Sequence, residues 1–150
     1  MGKDVSIKLI VNAETLYNIT NPTPGDYSIN CRFEGDTRPP GSPLGSYETN
    51  VYLDKKVEWI GDTNNPNGID KDYSVNIDNI VYEPTGTDKN FFNRQIVCGK
   101  NGIVSVKVKN DPNLVNQIDV YTINFSIVYP KGSQGVPKYY NIDPRLKGNP

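Results

Sequence analysis

Asp119-Val120-Tyr121-Thr122-Ile123-Asn124-Phe125-Ser126-Ile127-Val128-Tyr129 is the stretch that decides the fold of this chain. Tyr121, Ile123, Phe125, Ile127 and Tyr129 fall on one side of a period-two pattern, and Thr122, Asn124 and Ser126 fall on the other. A helix would bring apolar groups together every three to four positions. Strict alternation instead describes a strand with one face in a core and one in water.

The same alternation recurs on either side of this stretch. Val104, Val106 and Val108 alternate with Ser105, Lys107 and Lys109. Tyr73, Val75 and Ile77 alternate, and Ile80-Val81-Tyr82 continues them past Asp78-Asn79. Val5, Ile7, Leu9 and Val11 form a first strand, followed by a turn or helical turn from Ala13 to Asn18. Tyr27 to Phe33 reads as a second strand, Asn50 to Leu53 and Lys56 to Ile60 as short ones, then Phe91 to Cys98, and Lys138 to Ile142 as the last. Turn signals separate them: Asn21-Pro22-Thr23-Pro24-Gly25-Asp26, Glu83-Pro84-Thr85-Gly86-Thr87-Asp88, Lys100-Asn101-Gly102 and Asn110-Asp111-Pro112-Asn113. The Pro-rich run from Arg38 to Gly45 excludes a central strand there. Roughly eight to ten short strands at this spacing predict an all-β protein, an antiparallel β-sandwich of jelly-roll or Ig/cupredoxin-like type. No β-α-β alternation asks for a parallel sheet. A length of 150 residues suits a single domain spanning 1–150.

Composition narrows the function. The chain carries 16 basic and 17 acidic residues, a net charge of −1, with no basic stripe, so nucleic acid is not an expected partner. A near-neutral surface repels its own copies weakly and permits homo-oligomers or larger self-assembly. No apolar run reaches the roughly 18 residues that span a bilayer, so no membrane association is expected. The N-terminal stretch lacks an apolar core, so no signal peptide is expected. Cys31 and Cys98 are the only cysteines. Cys31 shares the face of Tyr27, Ile29 and Phe33, and Cys98 ends Ile96-Val97-Cys98, so both read as free, buried thiols.

Catalytic chemistry is thin. The chain has no histidine. That excludes a blue-copper centre, Ser-His-Asp and Cys-His catalysis, and any zinc site that needs imidazole. Two cysteines cannot make a four-cysteine site. The close carboxylates Asp70/Asp72 and Glu34/Asp36 read as solvated loop charges rather than a glycosidase pair. The expectation is a protein that is not an enzyme and holds no cofactor.

One loop is rich in hard oxygen donors: Asp62, Asn64, Asn65, Asn67, Asp70 and Asp72. Calcium takes such ligands from flexible loops. The EF-hand pattern fails, because Gly68 falls one place late and Tyr73 stands where the bidentate Glu belongs. A different calcium or sugar site stays open beside the plain reading of an Asx-turn loop whose side chains bond their own backbone. The ten tyrosines fit packing, self-association and sugar stacking, in that order. Trp59 shares a face with Val57 and is expected in the core or at its rim.

Three segments carry a family resemblance. Val5 to Val11 exits through Ala13-Glu14-Thr15-Leu16, Lys56 to Thr63 holds Val57-Glu58-Trp59 and a Gly turn, and Tyr121 to Phe125 is followed by Tyr139-Tyr140-Asn141-Ile142-Asp143-Pro144-Arg145-Leu146-Lys147. In this order they resemble the PixA/AidA-type bacterial inclusion-body protein family. Ile142 stands where that family often has Trp, and the Pro-rich loop has no counterpart in it. The resemblance implies a bacterial, cytoplasmic β-sandwich that accumulates in inclusions, with no catalytic residues to carry over.

The sequence therefore reads as a non-catalytic, self-associating inclusion-body-type protein. The alternative is a carbohydrate-binding, lectin-like module with or without calcium, built on the Asp62–Asp72 loop with a nearby Tyr or Trp59. At the end of the chain, Tyr139 and Tyr140 point to opposite faces. Pro144 ends that strand, and Arg145 to Pro150 show no periodicity and so no expected core role.

Overall fold

The computed structural model describes residues 2–84, 86 and 88–150. Its ten strands are β1 Val5–Val11, β2 Cys31–Phe33, β3 Glu48–Tyr52, β4 Lys56–Thr63, β5 Ser74–Tyr82, β6 Ile96–Cys98, β7 Ile103–Lys107, β8 Ile118–Tyr129, β9 Val136–Ile142 and β10 Arg145–Asn149. Two short helices, α1 Ala13–Tyr17 and α2 Pro24–Asn30, lie between β1 and β2. A four-stranded sheet runs β2–β1–β4–β7, and a six-stranded sheet runs β3–β10–β8–β5–β6 with β9 also on β8.

The alternating strands lay one face of each sheet into a shared core. β1 contributes Ile7, Leu9 and Val11, and β4 contributes Val57 and Trp59. Across from them β8 contributes Tyr121, Ile123, Phe125 and Ile127, and β5 contributes Val75, Ile77 and Ile80. The Trp59 indole Nε1 donates to the Tyr121 hydroxyl at 3.0 Å and so joins the two sheets. The all-β sandwich is thus what the alternation predicts, and Trp59 lies in its core.

Strand direction departs from the expectation. β1 and β4 pair parallel, and so do β10 and β3, so both sheets are mixed rather than purely antiparallel. Alternation reports which face is buried and carries no information on direction. Parallel neighbours need only a long crossover. The path from β1 to β4 supplies one through α1, α2, β2 and β3.

Three segments differ locally. Residues Pro24–Asn30 form a helix where a strand is expected. Thr23 and Asp26 make a reciprocal capping box, with Pro24 in the first turn. This starts a helix whatever the alternation of Tyr27, Ile29, Cys31 and Phe33 suggests. The cost is an Ile29 side chain left 70% exposed. Of the expected strand from Phe91 to Cys98 only β6 forms. Phe91 and Phe92 plug the core from a loop instead, Phe92 edge-on to Trp59. Within β6, Val97 turns inward, so Cys98 is exposed rather than buried, whereas Cys31 is buried as expected. The turn expected over 83–88 contains Thr85 and Thr87, which lie outside the described residues.

The tail is the largest correction. Residues Arg145–Asn149 form a strand seated between β3 and β8, with Leu146 and Gly148 buried. A Cβ at Gly148 would run into the Leu114 carbonyl oxygen. Position 148 serves the core by lacking a side chain, which leaves no apolar signal to read. β9 and β10 lie on the same side of β8, Ile142 against Ile123 and Arg145 against Val120. Asp143-Pro144 interrupts them, and the Pro144 carbonyl still accepts from Tyr121 N at 3.3 Å. Tyr139 and Tyr140 point to opposite faces as expected, and it is Tyr140 that packs inward.

The helices close one side of the sandwich. The Tyr17 hydroxyl donates to the Val136 carbonyl at 2.9 Å, Lys138 Nζ donates to the Tyr17 carbonyl at 2.7 Å, and Tyr27 meets Tyr140 edge-on. These contacts cover the side of β9 away from β8 and blunt what would be an exposed strand edge.

Candidate functional site

The polar half of β8 lies on the outer face of the six-stranded sheet, and its neighbours continue it. Asn124 stands opposite Asn79 of β5 on one side and opposite Asn141 of β9 on the other. Three asparagines therefore form one rung across three strands. Asn is depleted in strands because its short amide competes with the backbone for hydrogen bonds. A rung of three departs from what packing alone selects. Asn124 Nδ2 donates to Asn79 Oδ1 at 2.7 Å and fixes the orientation of both amides.

A register shift between Ile77 and Asn79 marks a β-bulge next to this rung. Bulges re-aim side chains. Asp78 is brought alongside Asn79, and its Oδ1 accepts from the Ser126 hydroxyl at 3.1 Å. Partial burial raises the Asp78 carboxyl above its ordinary range, and the Ser126 hydrogen bond opposes that. Ser126 is in turn opposite Tyr139, which is 74% exposed.

On the other side of the rung, the Thr122 hydroxyl sits 2.6 Å from Asp143 Oδ1 and 3.1 Å from Glu83 Oε1. A hydroxyl carries one proton and donates to one carboxylate at a time. The second carboxylate therefore faces a lone pair and retains an unmet capacity to accept. A groove of about 550 Å³ runs over Glu83, Thr122, Asn124, Asn141 and Asp143. A second hollow of about 330 Å³ continues it over Asp78, Asn79 and Tyr139 and shares Asn124 and Asn141 with the first.

The loop with six expected oxygen donors is arranged differently. Asp70 is fully buried, and both its oxygens accept from backbone: Oδ1 from Glu14 N at 2.8 Å and Oδ2 from Asn65 N at 3.0 Å. It thereby satisfies a free N–H in the first turn of α1 and pins that helix to the loop. Asp62 pairs with Lys8 at 3.4 Å, and Asn64 accepts from Arg32 at 3.1 Å. Asn65, Asn67 and Asp72 are exposed. A hollow of about 240 Å³ touches Asp62 and Asp70, and Lys71 and Lys131 also line it. Among the described residues no three His, Cys, Asp or Glu side chains are placed to share a metal ion. The structure does not gather the six into one site, and it buries Trp59 away from them.

One further carboxylate is unusual. Asp119 is fully buried at the start of β8. Its Oδ2 accepts from Phe91 N at 3.1 Å, and its Oδ1 has no hydrogen-bond partner among the described residues. Burial pushes its carboxyl up to about 7, the bond from Phe91 N works against this, nearby Asp88 adds to it and Lys109 lowers it. It tethers the loop that carries Phe91 and Phe92 into the core.

The outer-face groove has no local sequence signature, because its residues come from positions 78–83, 122–126 and 139–143. The available signal was the repeated placement of Asn on the polar side of strands, at Asn79, Asn124 and Asn141.

No family model and no curated protein matches the chain in sequence. Among solved structures, it is similar to the crystal structure of an inclusion body protein, PixA, from Burkholderia cenocepacia J2315. The match covers 99% of this chain and 96% of that one at 8% identity, with a TM-score of 0.57. From end to end, then, this chain shares the fold of a PixA inclusion body protein, the family that its sequence motifs also resemble.

Proposed function

We propose that this chain is a non-catalytic inclusion-body-type protein that self-associates in bacterial cytoplasmic inclusions. The observation that carries this reading is the end-to-end fold likeness to an inclusion body protein. The net charge of −1 supports it, since copies meet little long-range repulsion. So does the β8–β9 hairpin, where Tyr129 and Val136 stand opposite each other and remain 41% and 60% exposed. Tyr129 stacks on Tyr73 and both touch Tyr17, which gives that end of the sandwich a stiff aromatic surface of the kind interfaces favour. No helix among the described residues is long and apolar enough to cross a membrane.

Light scattering and sedimentation of the purified chain across concentration and salt test the proposal. Growth of particle mass with concentration is the expected result. A strict monomer at millimolar concentration overturns it.

A further inference from the structure

We propose that the asparagine rung on the outer face of the six-stranded sheet is a binding site for a neutral oligosaccharide, independent of calcium. The groove presents hydrogen-bonding groups of both kinds, already oriented. The Asn124–Asn79 bond leaves Asn124 Oδ1 to accept and Asn79 Nδ2 to donate, and the exposed Asn141 amide offers one of each. Thr122 cannot donate to Glu83 and Asp143 together, so the carboxylate end can accept from further donors. A sugar hydroxyl donates and accepts in one group, which fits a surface where amides and carboxylates alternate.

Charge selects the class of ligand. Glu83, Asp143 and Asp78 repel a phosphate or a sulfated chain. An ammonium would satisfy the carboxylates but has nothing for Asn79 Nδ2 or the Asn141 amide to donate to. Arg145, opposite Val120 at the end of the groove, also weighs against a polycation. A neutral polyol meets all of these groups without bringing charge. Tyr139 stands at the other end, 74% exposed, one residue pair from the Asn rung. Its ring offers a flat apolar face for the C–H side of a sugar ring, the usual role of an amphipathic aromatic at a wet surface. Grooves of about 550 and 330 Å³ in series accommodate more than one sugar ring.

A printed array of neutral gluco-, manno- and galacto-oligosaccharides, probed with the full chain in calcium and again in EDTA, tests the site. Retention on at least one sugar class in both buffers is expected. Calorimetry with the retained sugar should then show binding weakened by about tenfold for Tyr139→Ala and by as much for Asn141→Ala. Ser105→Ala, on the exposed face of the other sheet, should bind as the parent does. Both groove positions are exposed, and unchanged melting temperatures confirm that the variants fold. No retention on any neutral sugar overturns the proposal. So does retention that survives both groove substitutions, or retention that EDTA abolishes.

Discussion

Trp59 and Tyr121 meet across the sandwich, edge-on with ring centres 5.7 Å apart, and the indole N–H donates to the phenol oxygen. Each is buried on its own sheet, and this bond is the polar link between them. Burial raises the Tyr121 phenol well above its ordinary range, and the indole bond only partly offsets this, so it stays neutral throughout the working pH range. Tyr121→Phe should cost about 1–3 kcal/mol, because it strands the indole N–H without a partner. Trp59→Ala should cost about 3–5 kcal/mol by leaving a cavity. Urea unfolding of each variant gives the two values, and a Tyr121→Phe protein as stable as the parent would show that the bond contributes nothing.

Deleting Lys147–Pro150 should destabilise the chain. The deletion removes the pairings of Lys147, Gly148 and Asn149 with Asn50, Val51 and Tyr52. It also removes the bonds from Gly148 N to the Gln117 carbonyl and from Leu53 N to the Asn149 carbonyl, each 3.0 Å. A loss above about 2 kcal/mol, or a melting temperature lower by roughly 4–8 °C, is expected. Gly148→Ala should reproduce part of it, about 1–3 kcal/mol, by forcing a methyl against backbone. An unchanged melting temperature in both would remove β10 from the sheet.

Asp119 sets a pH dependence whose sign follows from its direction of shift. The folded protein holds the carboxyl proton up to about 7, whereas the unfolded chain releases it near the ordinary value of 3.8. Between those limits the native state binds more protons, so stability falls as pH rises from about 4 to about 7 and is level above. Asp78 adds a slope of the same sign, whereas Asp36, lowered chiefly by its hydrogen bond from Arg38, contributes a slope of opposite sign only below its ordinary value of 3.8. Melting curves of the parent and of Asp119→Asn across this range isolate the contribution. The variant should lack the extra decline, and parallel curves would refute the assignment.

The cysteines should separate cleanly by access. Cys98 is exposed on β6, and Cys31 is buried with its thiol pushed up to about 12 by that burial. An aromatic disulfide reagent should titrate one thiol in native protein and the second only in denaturant. Two fast-reacting thiols would mean that the start of β2 opens readily.

Where alternation carries the information, the sequence was a good guide. β1, β4, β5 and β8 each alternate visibly, and their inward residues make the core. α2 was also legible, since Thr23 and Asp26 spell a capping box, yet Tyr27, Ile29, Cys31 and Phe33 supply a competing strand pattern. β10 was not legible, because Arg-Leu-Lys-Gly-Asn contains one apolar side chain and a glycine whose value lies in close approach. The six-donor loop stood out by composition, but hydrogen bonding decides its role, and Asp70 spends both oxygens on backbone. The asparagine rung depends on the register of positions 79, 124 and 141, which no local window contains.

The placement of β10 orders events during synthesis. β3 is made early, yet among the described residues its one strand neighbour is β10, at the far end of the chain. While the ribosome still shields positions 145–149, β3 has nothing to pair with and the larger sheet stays open beside β8. Completion of this domain therefore waits until residues 145–149 have left the exit tunnel, and such late long-range closure is slow and leaves apolar strands accessible to neighbouring nascent chains. Protease sensitivity of ribosome-stalled chains should persist until these last residues clear the exit tunnel, whereas protection before that point would show that β3 finds another partner first.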